Sequence, residues 1–87
     1  MKIKDKFEID ASHSIEWGDA TWNNEDFSIR NRFQTEGGKF NKAGSSEIPW
    51  DDFKKMIKES IKRNHFSNAE LSDFMSDIAD YIKAFKK

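Results

Sequence analysis

The strongest constraint on the fold is a strict alternation of apolar and polar residues at the start of the chain. The apolar side chains stand at odd positions, namely Ile3, Phe7, Ile9, Ala11, Ile15 and Trp17. Lysines, acids and serines fill the even positions, and only Asp5 and His13 interrupt the apolar set. A period of two residues is typical of a strand with one buried face. The pattern predicts either one long strand or two strands that meet near residues 10–12, with the odd-numbered side chains buried.

A second alternation runs through residues 27–34 and leads into a turn. Its two sets are Phe27, Ile29, Asn31 and Phe33 on one side, and Ser28, Arg30, Arg32 and Gln34 on the other. Gly37 and Gly38 supply the two positive-φ residues that a tight hairpin turn needs. We therefore expect a hairpin whose return strand covers residues 39–42. Residues 43–47 are expected to form a linker between a β half and an α half.

Two amphipathic helices are predicted after this linker. Pro49 suits a first helical turn, and Trp50, Phe53, Ile57 and Ile61 recur at helical spacing. Asn64 tolerates the left-handed conformation that ends many helices. Ser67 and Glu70 form a capping box for the second helix, whose apolar stripe is Leu71, Phe74, Met75, Ile78, Ile82 and Phe85. Lys83, Lys86 and Lys87 close it, and a short connection favours two antiparallel helices.

These elements predict an α+β fold in one domain, residues 1–87. A small antiparallel sheet of about three strands occupies the N-terminal half, residues 1–47. Two antiparallel helices, residues 48–87, are expected to pack on one face of it. The other face is expected to carry the Lys, Arg and Glu side chains in solvent.

Composition argues against several classes of function. The chain has no Cys, which excludes disulfides, thiolate zinc ligands and a Cys nucleophile. No metal-ligand spacing links the two histidines, His13 and His65, and no nucleophile–base pair is present. We therefore expect no enzyme, no metal and no cofactor. No apolar run approaches the roughly 18 residues of a membrane span, and the N-terminus is too polar for a signal peptide. These patterns predict no membrane contact and a cytoplasmic location.

An acidic row on the second helix is the leading candidate for a binding surface. Glu70, Asp73, Asp77 and Asp80 follow steps of three, four and three residues, and Tyr81 borders them. The row is either a surface for a basic protein partner, or a solvated face, or a set of partners for the lysines of the first helix. Aromatic residues offer further contact points, because Trp17 and Trp22 flank a turn and Phe40 lies on the hairpin.

Nucleic-acid binding is the alternative. Arg30, Arg32, Lys39 and Lys42 fall on one predicted hairpin, where Phe33 and Phe40 could stack on bases. The net charge of −1 argues against it, because nucleic-acid binders usually carry a clear basic surplus.

The chain also resembles a class of known small proteins. The stretches that carry the resemblance are FSIRNRFQTEGGKFN and SSEIPWDDFKKMIKESIKR. They are similar to small proteins of phages and mobile bacterial elements, of the anti-CRISPR and anti-defence inhibitor type. The resemblance implies stoichiometric inhibition of a host nucleic-acid-handling complex, in the host cytoplasm if a phage encodes the chain. Such inhibitors share size and composition rather than a motif, so the resemblance assigns no residue a role.

Overall fold

The computed structural model describes residues 1–85, which form a four-stranded antiparallel sheet followed by two helices. The elements are β1 (Lys2–Asp10), β2 (His13–Asp19), β3 (Phe27–Phe33), β4 (Ser46–Pro49), α1 (Trp50–Lys62) and α2 (Asn68–Phe85). Two compact units, Met1–Lys55 and Met56–Lys87, divide the chain within α1. The α+β class is confirmed, with four strands rather than about three. Lys86 and Lys87, expected to close the second helix, lie outside the described residues.

The N-terminal alternation forms two strands rather than one. The chain reverses after Asp10, whose Oδ1 accepts hydrogen bonds from the backbone N–H and the hydroxyl of Ser12, at 2.8 and 3.0 Å. The backbone hydrogen bond from Ser12 is the main cause that lowers the pKa of Asp10. Further along, β1 approaches β2 so closely that a Cβ on Gly18 would lie 2.0 Å from the carbonyl oxygen of Lys2. Only glycine fits at that position.

The burial of β2 is opposite to the sequence expectation. Its buried residues are the even-numbered ones, Ser14, Glu16 and Gly18, whereas Ile15 and Trp17 are half-buried. Glu16 is only 2% exposed. The expectation of a solvated polar face is therefore wrong, because the hairpin after β3 folds back over this face and Phe40 covers its arginines. Alternation identifies the two faces of a strand but not the face that the rest of the chain covers.

The hairpin at residues 34–40 is shorter than expected. Gly38 N–H donates to the carbonyl of Thr35 at 2.9 Å, and Thr35 N–H donates to the carbonyl of Lys39 at 2.7 Å. Gly38 has φ +79°, whereas Gly37 does not adopt a positive φ. A three-residue loop of this kind ends in one left-handed residue. The expected return strand shrinks to a single bridge between Gln34 and Phe40.

The fourth strand occupies part of the predicted linker. Ser46–Pro49 forms β4 and pairs with β3, so that Glu47 lies opposite Arg30. A four-residue strand is too short to show a period of its own, and its pairing depends on the position of β3. The sequence stretch therefore resembled a linker although it completes the sheet.

The turn geometry makes a testable distinction between the two adjacent glycines. Gly38→Ala places a Cβ on a left-handed residue and is expected to lower the free energy of unfolding by about 1–2 kcal/mol. Gly37→Ala is the matched control, because its nearest neighbour atom lies 3.9 Å from the added Cβ and its φ is not in that region. Urea unfolding followed by tryptophan fluorescence measures both. Equal losses in the two variants would contradict a turn in which Gly38 alone is left-handed.

Helix α1 starts one residue later than predicted, because Pro49 is the last residue of β4, and it has the predicted end. It begins directly after Pro49, with Asp51 and Asp52 in its first turn. At its other end Asn64 has φ +64°, and its N–H donates to the carbonyl of Ile61 at 3.1 Å. His65 N–H donates to the carbonyl of Ser60 at 3.0 Å, which completes a Schellman motif. The prediction of a left-handed Asn cap is confirmed.

Helix α2 begins with the predicted capping box. Ser67 N–H donates to the Glu70 carboxylate at 2.9 Å, and Glu70 N–H donates to the Ser67 hydroxyl at 3.1 Å. The backbone hydrogen bond from Ser67 is the main cause that lowers the pKa of Glu70. Phe66, just before the cap, packs edge-on against Phe74 at 5.3 Å between ring centroids. The start of α2 is thus determined by local interactions.

The two helices follow the sheet in the order that the sequence predicts. In the described part of the chain, close backbone contacts join consecutive strands of the sheet. Neither helix contains a buried residue. A short connection between two helices favours an antiparallel pair, and this arrangement stays a prediction.

The capping box predicts a pH dependence for the helicity of α2. The lowered pKa of Glu70 means that its carboxylate stabilises the folded helix above the unfolded pKa, and that this contribution is lost as the pH falls through the folded pKa. Glu70→Gln is therefore expected to lose less helical circular dichroism on acidification than the parent. Asp80→Asn, an exposed position on the same helix, is the control and is expected to follow the parent. An identical acid response in all three proteins would contradict a stabilising carboxylate at the cap.

Candidate binding site

A buried ion pair lies at the centre of the sheet. The register places Glu16 of β2 directly opposite Arg30 of β3. Arg30 donates to Oε1 of Glu16 from Nε at 2.8 Å and from Nη2 at 2.7 Å, with Arg32 Nε at 3.9 Å from the same oxygen. The side chains of Glu16 and Arg30 are 2% and 11% exposed. Burial strengthens this attraction because little water screens it.

Phe40 covers the two arginines from the solvent side. Its ring centroid lies 4.7 Å from the guanidinium carbon of Arg30 and 5.3 Å from that of Arg32. Both distances are within the range of cation–π attraction. The sequence pattern predicts Phe40 as a contact for a protein partner and, in the alternative, as a stacking ring beside the two arginines for nucleic acid. The structure brings all three together.

An open cleft of about 330 Å³ lies beside this cluster. Its lining residues are Thr21, Trp22, Arg30, Phe40, Lys42, Ser45 and Glu47. Trp22 and Phe40 are 50% and 41% exposed. Trp22 is oriented by its indole N–H, which donates to Asp26 at 3.0 Å. The cleft therefore combines two accessible aromatic rings with the ammonium group of Lys42, whereas Lys39 does not line it.

Glu47 joins the edge of this cleft to the sheet. Its carboxylate accepts hydrogen bonds from the backbone N–H and hydroxyl of Thr21, at 2.8 and 2.7 Å, and from the hydroxyl of Ser28 at 3.2 Å. Burial alone would raise the pKa of Glu47, but the hydrogen bonds from Thr21 and Ser28 outweigh it and lower the pKa. The carboxylate is thus kept ionised, and three donors already engage it.

Sequence reasoning missed Glu16 and Glu47. Each is opposite Arg30 on a neighbouring strand, so both become visible only when the strand register is known. The one available indication was a carboxylate and an arginine at central positions of two alternating segments. That pattern is common on solvated sheet faces and does not identify a buried pair.

Two other aromatic candidates lie outside the cleft. Trp17 is on the opposite side of β2 from Glu16, where it pairs with Ile29. Phe33 stacks on His13 with ring centroids 4.1 Å apart, so its ring is already engaged by a neighbour. The structure therefore brings Trp22 and Phe40 together and leaves Trp17 and Phe33 on another surface.

The acidic row of α2 divides into one capping residue and three exposed carboxylates. Glu70 is engaged by Ser67, whereas Asp73, Asp77 and Asp80 are exposed and, within residues 1–85, form no ion pair. Lys54 contacts Asp51 at 3.1 Å and Lys62 contacts Glu59 at 3.6 Å, both within α1. Tyr81, beside the row, stacks on Phe85 at 4.4 Å.

Residues 1–85 contain no cluster of three or more His, Asp or Glu side chains able to hold a metal ion. Across the same residues, neither helix has the length and apolar character needed to cross a membrane.

Comparison of the chain with models of known protein families, with curated proteins and with solved structures finds no significant match.

The buried ion pair predicts a strong and specific effect on stability. Glu16→Met leaves the guanidinium of Arg30 without its carboxylate and is expected to lower the free energy of unfolding by about 3–5 kcal/mol. Replacing both partners, Glu16→Met with Arg30→Met, is expected to recover most of that loss, because no unpaired charge stays buried.

Glu8→Met is the matched control, since its carboxylate pairs with Lys6 at 3.0 Å on the exposed surface. This control is expected to change the free energy of unfolding by no more than about 0.5 kcal/mol. Denaturant unfolding of all four proteins measures the effects. A double variant as unstable as Glu16→Met alone would show that burial of the pair is not the cause.

Proposed function

We propose that the chain is a small binding protein that acts without catalysis, by stoichiometric occupation of a basic groove on another protein. The observation that carries this proposal is the exposed surface of α2. Its apolar side chains Phe74, Ile78, Ile82 and Phe85 are 41%, 58%, 61% and 61% exposed. They recur at helical spacing and so form one continuous stripe. Exposed apolar stripes of this kind mark interaction surfaces.

The shape of this surface suits a helix that lies in a groove. An amphipathic helix binds by placing residues three, four and seven positions apart into an apolar groove, which is the spacing of the α2 stripe. Successive residues turn by about 100° around a helix axis. Asp73 and Asp80 therefore lie more than a quarter turn from the stripe, and Asp77 lies about 60° from it, with Tyr81 between the stripe and Asp77. A groove with an apolar floor would meet these carboxylates at its rim.

The charge of the α2 surface indicates that the partner has a basic binding surface. Three exposed carboxylates on one side of a helix attract Lys and Arg side chains and repel acidic surfaces. Basic grooves are common on proteins that hold nucleic acids, because they must neutralise phosphates. The resemblance to anti-CRISPR and other anti-defence inhibitors fits such a partner. We accordingly propose a host nucleic-acid-handling complex as the target, with the acidic row in the place of a phosphate backbone.

Reversing the charge of the row tests this function. The variant Asp73→Lys, Asp77→Lys, Asp80→Lys is expected to keep the melting temperature within a few degrees, because none of the three residues is buried. Its capture of basic proteins from a host lysate is expected to fall at least tenfold, since charge reversal replaces attraction by repulsion. Affinity capture with quantitative mass spectrometry measures the change.

The control reverses the same number of acids elsewhere, with Glu8→Lys, Glu25→Lys and Glu36→Lys. These residues are exposed and lie outside α2, so this variant has the same net charge and is expected to capture as the parent does. An equal loss of captured protein in both variants would show that net charge alone explains the effect. Unchanged capture by both variants would overturn the proposal.

Sedimentation of the parent protein tests whether a second copy of the chain binds the α2 stripe. If the parent forms dimers and Ile78→Lys dissociates them, the α2 stripe is a self-association surface and the proposed partner is wrong.

A further inference from the structure

The cleft of the first unit contains the groups that recognise a flat ring with a phosphate attached. We propose that it binds one nucleobase against the rings of Trp22 and Phe40, with the neighbouring phosphate on Lys42. This site is independent of α2, because all its residues belong to the unit Met1–Lys55. The chemistry is shared by a free nucleotide and by one residue of a single-stranded nucleic acid.

The two rings provide the stacking surface. Trp22 and Phe40 are about half exposed and line the same cleft. Trp22 is oriented by its hydrogen bond to Asp26, and Phe40 by its contacts with Arg30 and Arg32. Rings fixed in advance lose little conformational freedom when a base stacks on them. Stacking also tolerates any base, because every base has a π face.

The guanidinium groups that contact Phe40 favour an anionic or neutral ligand over an organic cation. An aromatic pocket beside a carboxylate is also a site for an organic cation, such as a methylated ammonium group. Here the ring of Phe40 already faces two guanidinium groups, at 4.7 and 5.3 Å, and Lys42 lies in the same cleft. The carboxylates of Glu16 and Glu47 are already engaged, by Arg30 and by Thr21 and Ser28, so a further cation would meet the ammonium of Lys42 without a free carboxylate in the lining. A neutral planar base with an anionic phosphate is attracted by the same arrangement.

Lys42 is placed to hold the phosphate. It is exposed, it lines the cleft, and within residues 1–85 no carboxylate contacts its ammonium group. The one acid in the lining, Glu47, directs both carboxylate oxygens to Thr21 and Ser28. The ammonium of Lys42 is therefore the group left to compensate a bound anion.

The volume limits the ligand to about one nucleotide. The cleft measures about 330 Å³, at the lower end of the roughly 300–1,000 Å³ of small-molecule sites. A paired base cannot reach stacking rings of this kind without leaving its duplex. The site is thus expected to accept a single strand or a free nucleotide and to reject duplex DNA.

Fluorescence anisotropy with a fluorescein-labelled oligothymidine single strand tests the proposal at low salt. Trp22→Leu and Phe40→Leu keep apolar packing but remove the π surface. Each is expected to weaken binding by about 5- to 100-fold, the equivalent of one lost stacking contact. Lys42→Gln is expected to reduce the slope of log affinity against log salt by about 0.7, as for one phosphate contact to a single strand. Phe7→Leu is the matched control, because Phe7 is an exposed ring on β1, outside the cleft.

Competitors distinguish the two sources of the ligand. Displacement of the probe by thymidine monophosphate as well as by unlabelled strand assigns the site to a nucleotide, and displacement by the strand alone assigns it to a single-stranded nucleic acid. Failure of the parent to bind the probe, equal affinity for duplex DNA, or an equal loss in Phe7→Leu would each overturn the proposal. Charge reversal of Asp73, Asp77 and Asp80 leaves the cleft residues unchanged, so failure of one proposal is separable from failure of the other.

Discussion

The ion pair between Glu16 and Arg30 determines the interior of the sheet. A carboxylate that is 2% exposed depends on its partner, because an unpaired buried charge costs about 3–5 kcal/mol, a large part of the stability of a small domain. The pair joins directly opposed residues of β2 and β3. A slip of one residue would move Glu16 away from Arg30 and reverse the faces of the strand. The ion pair therefore specifies the register as well as the buried face.

The cover of this pair also forms the candidate cleft. Gly38 turns the chain so that Phe40 bridges to Gln34 and lies over Arg30. Glu47 then closes the other side by holding Thr21 and Ser28. The same side chains thus shield a buried charge and present aromatic surface to solvent. Stability and the proposed recognition of a base depend on one set of residues, which is why conservative ring-to-leucine changes are the suitable probes of binding.

Features determined by local sequence could be predicted, and features determined by distant contacts could not. The cap of α2 and the left-handed Asn64 follow from residues a few positions apart, and the structure confirms both. The hairpin between β1 and β2 was one of two alternatives that periodicity left open. The buried face of β2 depends on Phe40, which lies more than twenty positions further along the chain. Likewise β4 exists because β3 offers it an edge, and four residues carry no period that would reveal it.

Net charge is a poor guide to what this chain binds, because electrostatic attraction acts locally. At physiological salt, charges further apart than about 8 Å are largely screened. The net charge of −1 is the sum over 15 basic and 16 acidic residues, which include an acidic row on α2 and a cluster of Arg30, Arg32 and Lys42 on the first unit. A ligand at either surface therefore interacts with the charges near it, and the net charge of the whole chain has little effect on its binding. The objection that a near-neutral chain should not bind nucleic acid therefore applies to a nonspecific binder that covers many phosphates. It does not apply to a cleft that holds one base with stacking rings and one phosphate with a single lysine.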